Sequence, residues 1–325
     1  MSTSPIKTTA TPFSIVIPLY NKKSHIKDTL DSVLSQDYDN YEIVVVNDGS
    51  QDGSEEIVET LSKEQPEGRI RLINQENGGV SVARNTGIKN SKHDMVCLLD
   101  ADDEWKAGYL KEMDALVRDF PGYKIYSVRH EIKEEGDKII FPAVELPDDF
   151  RGVIPKFIPL YTSSDGIIHS SAVCLNRDYC IKLGGFPEGQ KLGEDVYVWL
   201  LYGMNTQLVF SNKVLMRYSR VTENRSDVRV EKMDLPYYFR YFFQKLKEDS
   251  CNPNNKDLLA YMRKNAWLHL AGLKLAGNGH IAKQHAKQFF QKDTVTGTPS
   301  YLIAYFPNFI LSVIKKLRDT TRASD

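Results

Sequence analysis

Cysteine is scarce in this chain of 325 residues, and no two cysteines form a CxxC pair. Of the four, Cys97 and Cys174 sit inside apolar strand-like runs, so they read as buried thiols rather than ligands or bridges. A reduced cytosolic compartment fits that usage. Charge of one sign is also missing: 42 Lys and Arg face 43 Asp and Glu, a formal net charge of −1. Without a basic field, a nucleic-acid partner is not expected. No apolar run reaches the roughly 18 to 20 residues of a membrane span. The nearest, Tyr301 to Ile314, is broken by Pro307 and Asn308. Met1 to Thr11 lacks an apolar signal core, and residues 1–12 read as a disordered leader. The dinucleotide fingerprint GxGxxG is absent after the first strand-like run, where Pro18-Leu19-Tyr20-Asn21-Lys22 stands instead, which argues against a nucleotide-dependent oxidoreductase.

What the chain does carry is alternation. Phe13 to Leu19 predicts a strand, and Ser24 is placed to cap a helix with Ile26, Leu30, Val33 and Leu34 on one face. Tyr41 to Val46 predicts a second strand, ending at Asn47-Asp48-Gly49-Ser50, and Asp52-Gly53-Ser54 opens the next helix. Arg69 to Ile73 predicts a third strand, followed by Asn77-Gly78-Gly79 and a helix from Val80 to Asn90. Asp94 to Leu99 predicts the fourth. This order predicts an α/β fold, a Rossmann-like and mostly parallel sheet flanked by helices. Ligands of such sheets bind outside the carboxyl ends of the strands. Three polar clusters fall there: Pro18 to Asn21, Asn47 to Ser50, and Asp100-Ala101-Asp102. Further on, a hairpin is expected about Glu134-Glu135-Gly136-Asp137, a strand at His169 to Leu175, and a helix at Glu194 to Tyr202. Gln207 to Phe210 and Val214 to Tyr218 read as the last strands. Beyond Val230 aromatic and charged helical segments take over, so a boundary is expected near Asp227 to Val230.

The acidic stretch has two readings. Leu98-Leu99 run straight into Asp100-Ala101-Asp102-Asp103-Glu104, and carboxylates placed there need water, a cation or hydrogen-bond donors. Hard oxygens at a strand end suit Mg²⁺ or Mn²⁺, which in turn suit a diphosphate. A solvated loop whose acid caps the next helix fits the same residues.

Five segments in order resemble the family 2 glycosyltransferases: Phe13 to Asn21, Glu42 to Ser50, Ala83-Arg84-Asn85-Thr86-Gly87, Asp100-Ala101-Asp102-Asp103, and Gly193-Glu194-Asp195. The resemblance spans roughly residues 13–220 and implies a GT-A-type fold and an inverting, nucleotide-sugar-dependent transferase. It implies a domain at 13–229, with a nucleotide-binding half at 13–104 and an acceptor-side half at 105–229, followed by a C-terminal helical region at 230–325. Carried over residue by residue, it implies that Asp48 accepts the imide N–H of uracil, with Pro18, Tyr20 and Asn21 beneath the base and Arg84 aimed at the nucleotide. Asp48 can equally form an Asx-turn before Gly49. Asp100, with Ala101, falls on the ribose side, and Asp102 is the implied ligand of Mg²⁺ or Mn²⁺. Asp103 reads as a support or a helix cap. Asp195 is the implied general base, although an acid opening a helix is also an ordinary cap. Glu194 would orient sugar or acceptor, and His169 could line the acceptor cleft. Trp199 shares Asp195's helical face and suits core packing better than sugar stacking.

The chain departs from the family at one point. The segment Met216 to Ser226 holds no histidine, and Arg220 or Arg225 is the candidate lid over the diphosphate instead. His280 and His285, five apart, do not share a helical face for a metal. The implied donor is a UDP-sugar, and the implied acceptor is a glycan or lipid-linked glycan, as in cell-envelope polysaccharide assembly. Residues 299–320 leave two readings open, a buried helical pair or a peripheral anchor at the cytoplasmic membrane face. A non-catalytic nucleotide-sugar or glycan-binding module that retains the fold is the alternative to an enzyme.

Overall fold

The computed structural model describes residues 10–164, 166–221, 235–248 and 255–289. Arg225, residues 299–320 and most of the leader lie outside them. The chain divides into two compact units. The first is Met1–Gln190 with Asp195–Asn224, and the second is Lys191–Glu194 with Arg225–Asp325.

The first unit opens with β1 (Phe13–Leu19), α1 (Ile26–Leu34), β2 (Tyr41–Asn47), α2 (Ser54–Glu64), β3 (Ile70–Asn74), α3 (Val80–Asn90) and β4 (Met95–Leu98). It continues with β5 (Glu104–Trp105), α4 (Tyr109–Asp119), β6 (Ile125–Lys133), β7 (Ile139–Ile140), β8 (Arg151–Ile154), α5 (Phe157–Ser163), β9 (Val173–Asn176) and α6 (Arg177–Lys182). Helix α7 (Glu194–Asn205) and β10 (Leu208–Ser219) complete it. One ten-stranded sheet runs β3-β2-β1-β4-β9-β6-β10-β5, with β7 on β6 and β8 on β10. Strands β3, β2, β1 and β4 are parallel. Strand β9 is antiparallel to both its neighbours, and β10 runs parallel to β6. The result is a mixed, mostly parallel sheet.

The parallel strands are continuous apolar runs because helices cover both their faces. Every residue of β1 is buried. Phe13, Ile15, Ile17 and Leu19 join the core that takes Ile26, Leu30 and Val33 from α1. Each such side chain contributes about 1.5–3 kcal/mol by leaving water. On the other face α3 approaches β1 so closely that a Cβ on Gly87 would lie 2.3 Å from Val16 Cγ1. Cys97 and Cys174 face each other across β4 and β9 as buried free thiols.

Three local expectations change. Helix α1 is preceded by His25 without a side-chain cap, because Ser24 lies one residue too early. The expected strand at His169 begins as a tight 3-10 turn, Ser170–Ala172, and β9 starts only at Val173. The last two expected strands are one, β10, bent by register shifts between Ser211 and Met216.

In the second unit, α8 (Tyr237–Glu248), α9 (Lys256–Leu275) and α10 (Gly279–Phe289) pack through buried Phe239, Phe242, Leu270 and Ala282. Gly277, at φ +87°, turns α9 into α10. Gly193 also belongs to this unit, and a Cβ there would meet the Tyr238 ring at 2.8 Å. Among the described residues no helix is long and apolar enough to cross a membrane.

Candidate functional site

The carboxyl ends of β1, β2 and β4 release the chain into loops that side chains tie together. Asn21, in a left-handed conformation at φ +51°, donates its N–H to Ser50 Oγ (3.1 Å) and accepts the Gln51 N–H on Oδ1 (2.8 Å). The loops after β1 and β2 thereby share one anchor. Pro18 is buried in β1 beside Val46, and Tyr20 is half-buried at the strand's exit.

Asp48 makes no local Asx-turn. Its carboxylate reaches the loop before α3, accepting from Gly78 N (2.9 Å), Gly79 N (2.8 Å) and Gln75 Nε2 (2.7 Å). A carboxylate offers about four acceptor sites, so three are engaged. With 3% of its surface exposed, Asp48 holds that loop in place. Gly79 adopts φ +89°, which an L side chain rarely tolerates, and α3 starts from it.

Helix α3 accounts for the Ala83 to Gly87 segment one residue at a time. Arg84 is neither a surface arginine nor directed outward. It is 4% exposed, donates Nη2 to both oxygens of Asp100 (2.8 and 3.1 Å), and lies over the Phe186 ring. Asn85 clamps the distant Gly185-Phe186 turn, accepting Phe186 N (2.8 Å) and donating to Phe186 O (2.8 Å) and Glu188 Oε1 (3.0 Å). Gly87 permits the close contact with β1.

The acids after β4 differ from one another. Asp100 keeps 27% of its side-chain surface open. Burial pushes its carboxyl up, but the Arg84 guanidinium overrides this and holds it below the usual carboxylate range. Ala101 is buried at 3% exposure. Asp102 accepts Lys22 Nζ at 2.5 Å, with 15% and 12% of the two side chains exposed. Asp103 is almost fully buried and caps no helix. It accepts Ser171 Oγ (2.5 Å) and the Ser219 N–H (3.1 Å), tying the acidic loop to the end of β10. Burial first, then repulsion from Asp102 and Asp100, raises its carboxyl well above the ordinary value. Ser171 Oγ also accepts the Asp100 N–H (3.1 Å), so one hydroxyl joins both acids.

His169 is the meeting point. Its Nδ1 accepts the Ser171 N–H (3.2 Å), which leaves the proton of the neutral ring on Nε2. The ring lies 4.7 Å from Tyr218 and 5.1 Å from His130, centroid to centroid. Burial lowers its pKa, and the carboxylates of Asp100, Asp195 and Asp102 pull in the opposite direction. Acids from two separate parts of the sequence therefore act on one imidazole. His130, buried beneath, is driven down to about 2 by burial and its histidine neighbour.

The remaining expected residues divide. Asp195 is the second residue of α7, where Oδ1 accepts the Val196 N–H (2.6 Å), and its carboxylate acts on the His169 ring. Glu194 beside it is grouped with the second unit. Trp199 is 1% exposed and edge-on to Phe186, so it packs the core and offers no ring face to a sugar. Arg220 follows β10, donates to Glu134 Oε1 (3.2 Å) and lies over Tyr218. Sequence reasoning missed Lys22, Ser171 and Tyr218. Only Lys22 had a local signal, directly after the Tyr20-Asn21 step.

Among the described residues no group of three or more His, Cys, Asp or Glu is arranged to hold a metal. The donor set still suits Mg²⁺, which usually takes one or two carboxylates and completes its shell with water and substrate phosphates. A cation, the Lys22 ammonium, already sits on Asp102.

Residues 14–152 match the family model described as glycosyl transferase family 2. An uncharacterized glycosyltransferase of Rickettsia felis is 30% identical over 206 residues, which is 63% of this chain and 33% of that protein. Glycosyltransferase GlyA of Streptococcus pneumoniae is 42% identical over 100 residues, 31% of this chain and 14% of that protein. The chain thus matches a third or less of these two relatives' own length. Among solved structures, S. aureus TarS 1-349 in complex with UDP-GlcNAc superposes with a TM-score of 0.66 at 17% identity, covering 86% of this chain and 82% of that one.

Proposed function

We propose that the protein, whose residues 14–152 match the family 2 glycosyltransferase model, transfers a sugar from a UDP-sugar to a hydroxyl of a glycan or lipid-linked glycan, inverting the anomeric centre. The observation that carries this reading is the acidic loop after β4, where Arg84 meets Asp100 and Lys22 meets Asp102 beside strand ends whose loops are already fastened. The S. aureus structure contains UDP-GlcNAc, which supports a uridine diphosphate donor.

In this reading the uracil imide takes the remaining acceptor site of Asp48, above Pro18 and Tyr20. Asp100, held by Arg84, receives the ribose hydroxyls. Asp102 and the diphosphate's own oxygens would hold Mg²⁺ or Mn²⁺, which supplies charge neutralisation for the departing diphosphate. Asp195 takes the proton of the acceptor hydroxyl as its oxygen attacks the anomeric carbon. The bond from that carbon to the diphosphate oxygen breaks, and UDP leaves with the electron pair. One base and no second nucleophile give a single displacement. His169 Nε2–H is a neutral donor for a phosphate or sugar oxygen. Arg220, with Arg225, serves as the lid over the diphosphate. The peripheral membrane site, through residues 299–320 at the cytoplasmic face, belongs to the same reading.

The test is a panel of UDP-sugars with Mn²⁺ and free or lipid-linked glycans, read by mass spectrometry. Product or slow UDP release is expected, and it should disappear in Asp102→Ala. If UDP-sugars shift the melting temperature but are not turned over, the non-catalytic module replaces the transferase; if none shifts it, the transferase reading falls.

A further inference from the structure

We propose that Ser171 is a positioning residue: by occupying both His169 Nδ1 and Asp103 Oδ2 it keeps those two groups from pairing, and so holds the imidazole neutral with its proton on Nε2. The inference rests on the donor-site reading above only for what that Nε2–H meets, an oxygen of the donor.

Ser171 is fully buried, and each of its polar groups is committed. Its N–H donates to His169 Nδ1 (3.2 Å), and its carbonyl accepts the Trp105 Nε1–H (2.7 Å). Its hydroxyl accepts the Asp100 N–H (3.1 Å), so the one hydroxyl hydrogen goes to Asp103 Oδ2 (2.5 Å). A backbone N–H can only donate. Nδ1 must therefore keep its lone pair, because a proton there would face the Ser171 N–H head on.

The competing partner stands close by. Asp103 Oδ2 lies 3.9 Å from His169 Nδ1, just beyond hydrogen-bond distance. A carboxylate against an imidazole N–H makes the stronger, charge-assisted kind of bond, so the two would close on each other if nothing intervened. Ser171 meets both, one through its backbone and the other through its side chain. The Ser219 N–H holds the other oxygen, Asp103 Oδ1 (3.1 Å), and so fixes the rotation of the carboxyl group. Across the ring, Nε2 has no hydrogen-bond partner among the described residues, and 22% of the side chain is exposed. An uncharged N–H, open at the surface, is the group this arrangement offers to the donor.

Nitrogen NMR of the full chain labelled at histidine, with His169 assigned by the signals lost in His169→Gln, reads the proton's position directly. In the wild type without nucleotide, Nδ1 should give the signal of an acceptor nitrogen and Nε2 that of an N–H. In Ser171→Ala, its fold checked by circular dichroism, Asp103 and His169 should close together, and the form protonated on Nδ1 should rise about tenfold or more. UDP affinity, read by calorimetry, should fall with it by about three- to tenfold. The double variant Ser171→Ala/Asp103→Asn should restore both, because the new amide's carbonyl stays on the Ser219 N–H and its amide N–H turns toward Nδ1. A merely structural loss would not be restored by a second buried substitution. Nδ1 protonated in the wild type overturns the inference without any variant, and so does a Ser171→Ala protein whose Nδ1 is still an acceptor. If UDP affinity holds in Ser171→Ala, or UDP binds under no condition, the NMR result still decides the role of Ser171, and His169 leaves the donor site.

Discussion

The two ends of the parallel sheet both bury acids beside cations, yet they are built for different ends. At the amino end, Glu42 of β2 accepts Ser14 Oγ (2.7 Å), Lys92 N (2.6 Å) and Arg71 Nε (2.9 Å), every donor coming from a strand or its flank. Burial pushes the Glu42 carboxyl up, and the Lys92 N–H, Ser14 and Arg71 together bring it below its ordinary value. Nothing there awaits a ligand. At the carboxyl end, Asp102 meets the Lys22 ammonium, Asp103 is held against its own ionisation, and Asp195 Oδ1 accepts the neighbouring Val196 N–H. A closed network contributes stability, whereas acids crowded together at a strand end keep their reactivity and cost stability.

Removing the base should break the comparison most visibly. Asp195→Asn is expected to lower turnover by about 10²- to 10⁴-fold, with little change in melting temperature, measured by product formation and by calorimetry. The mirror experiment is Glu42→Ala, which leaves buried donors without their acceptor and should cost about 2–4 kcal/mol in chemical denaturation. Its turnover per folded molecule should stay near wild type. A large loss of activity there would show that the two ends are not separable.

Gly87→Ala links the ends, since its methyl would drive into Val16 and shift α3. A loss of about 1–3 kcal/mol is expected. Because Arg84 rides on the same helix, donor KM should rise with it. The pH dependence of stability gives a finer distinction. Glu42 and Glu131 both have lowered folded-state values. For Glu131 burial raises the value, and Lys106 and Arg217 more than offset it. The stability they contribute is complete above the ordinary carboxylate value of 4.5 and is lost as pH falls through their lower folded values. Denaturation midpoints of Glu42→Gln should therefore fall less steeply in acid than those of the wild type. Arg220→Ala carries the smallest expected effect, a few-fold rise in donor KM. Unchanged kinetics would remove it from the lid.

Much of the first unit was legible because its signals are local. Parallel strands covered on both faces must be continuous apolar runs, and Gly-Gly and Asp-Gly steps mark the turns that release them. Strands β1 and β2 and helix α3 follow those signals almost residue for residue. The weaker second half, where β9 reverses direction and β10 bends at its register shifts, gave no comparable periodicity. Among the site residues, resemblance named Asp100, Asp102 and Asp195. It also aimed Arg84 at the nucleotide, and in the structure that guanidinium meets Asp100.

The sequence by itself determined the alternation, the polar strand ends and the acid types standing there, because each depends on a few adjacent residues. Tertiary structure alone decided which cation meets which acid. Lys22 and Asp102 are 80 positions apart, and Asn85 and Phe186 are 101 apart. Such partnerships arise only when the sheet closes, because they depend on which loops the strand order brings side by side.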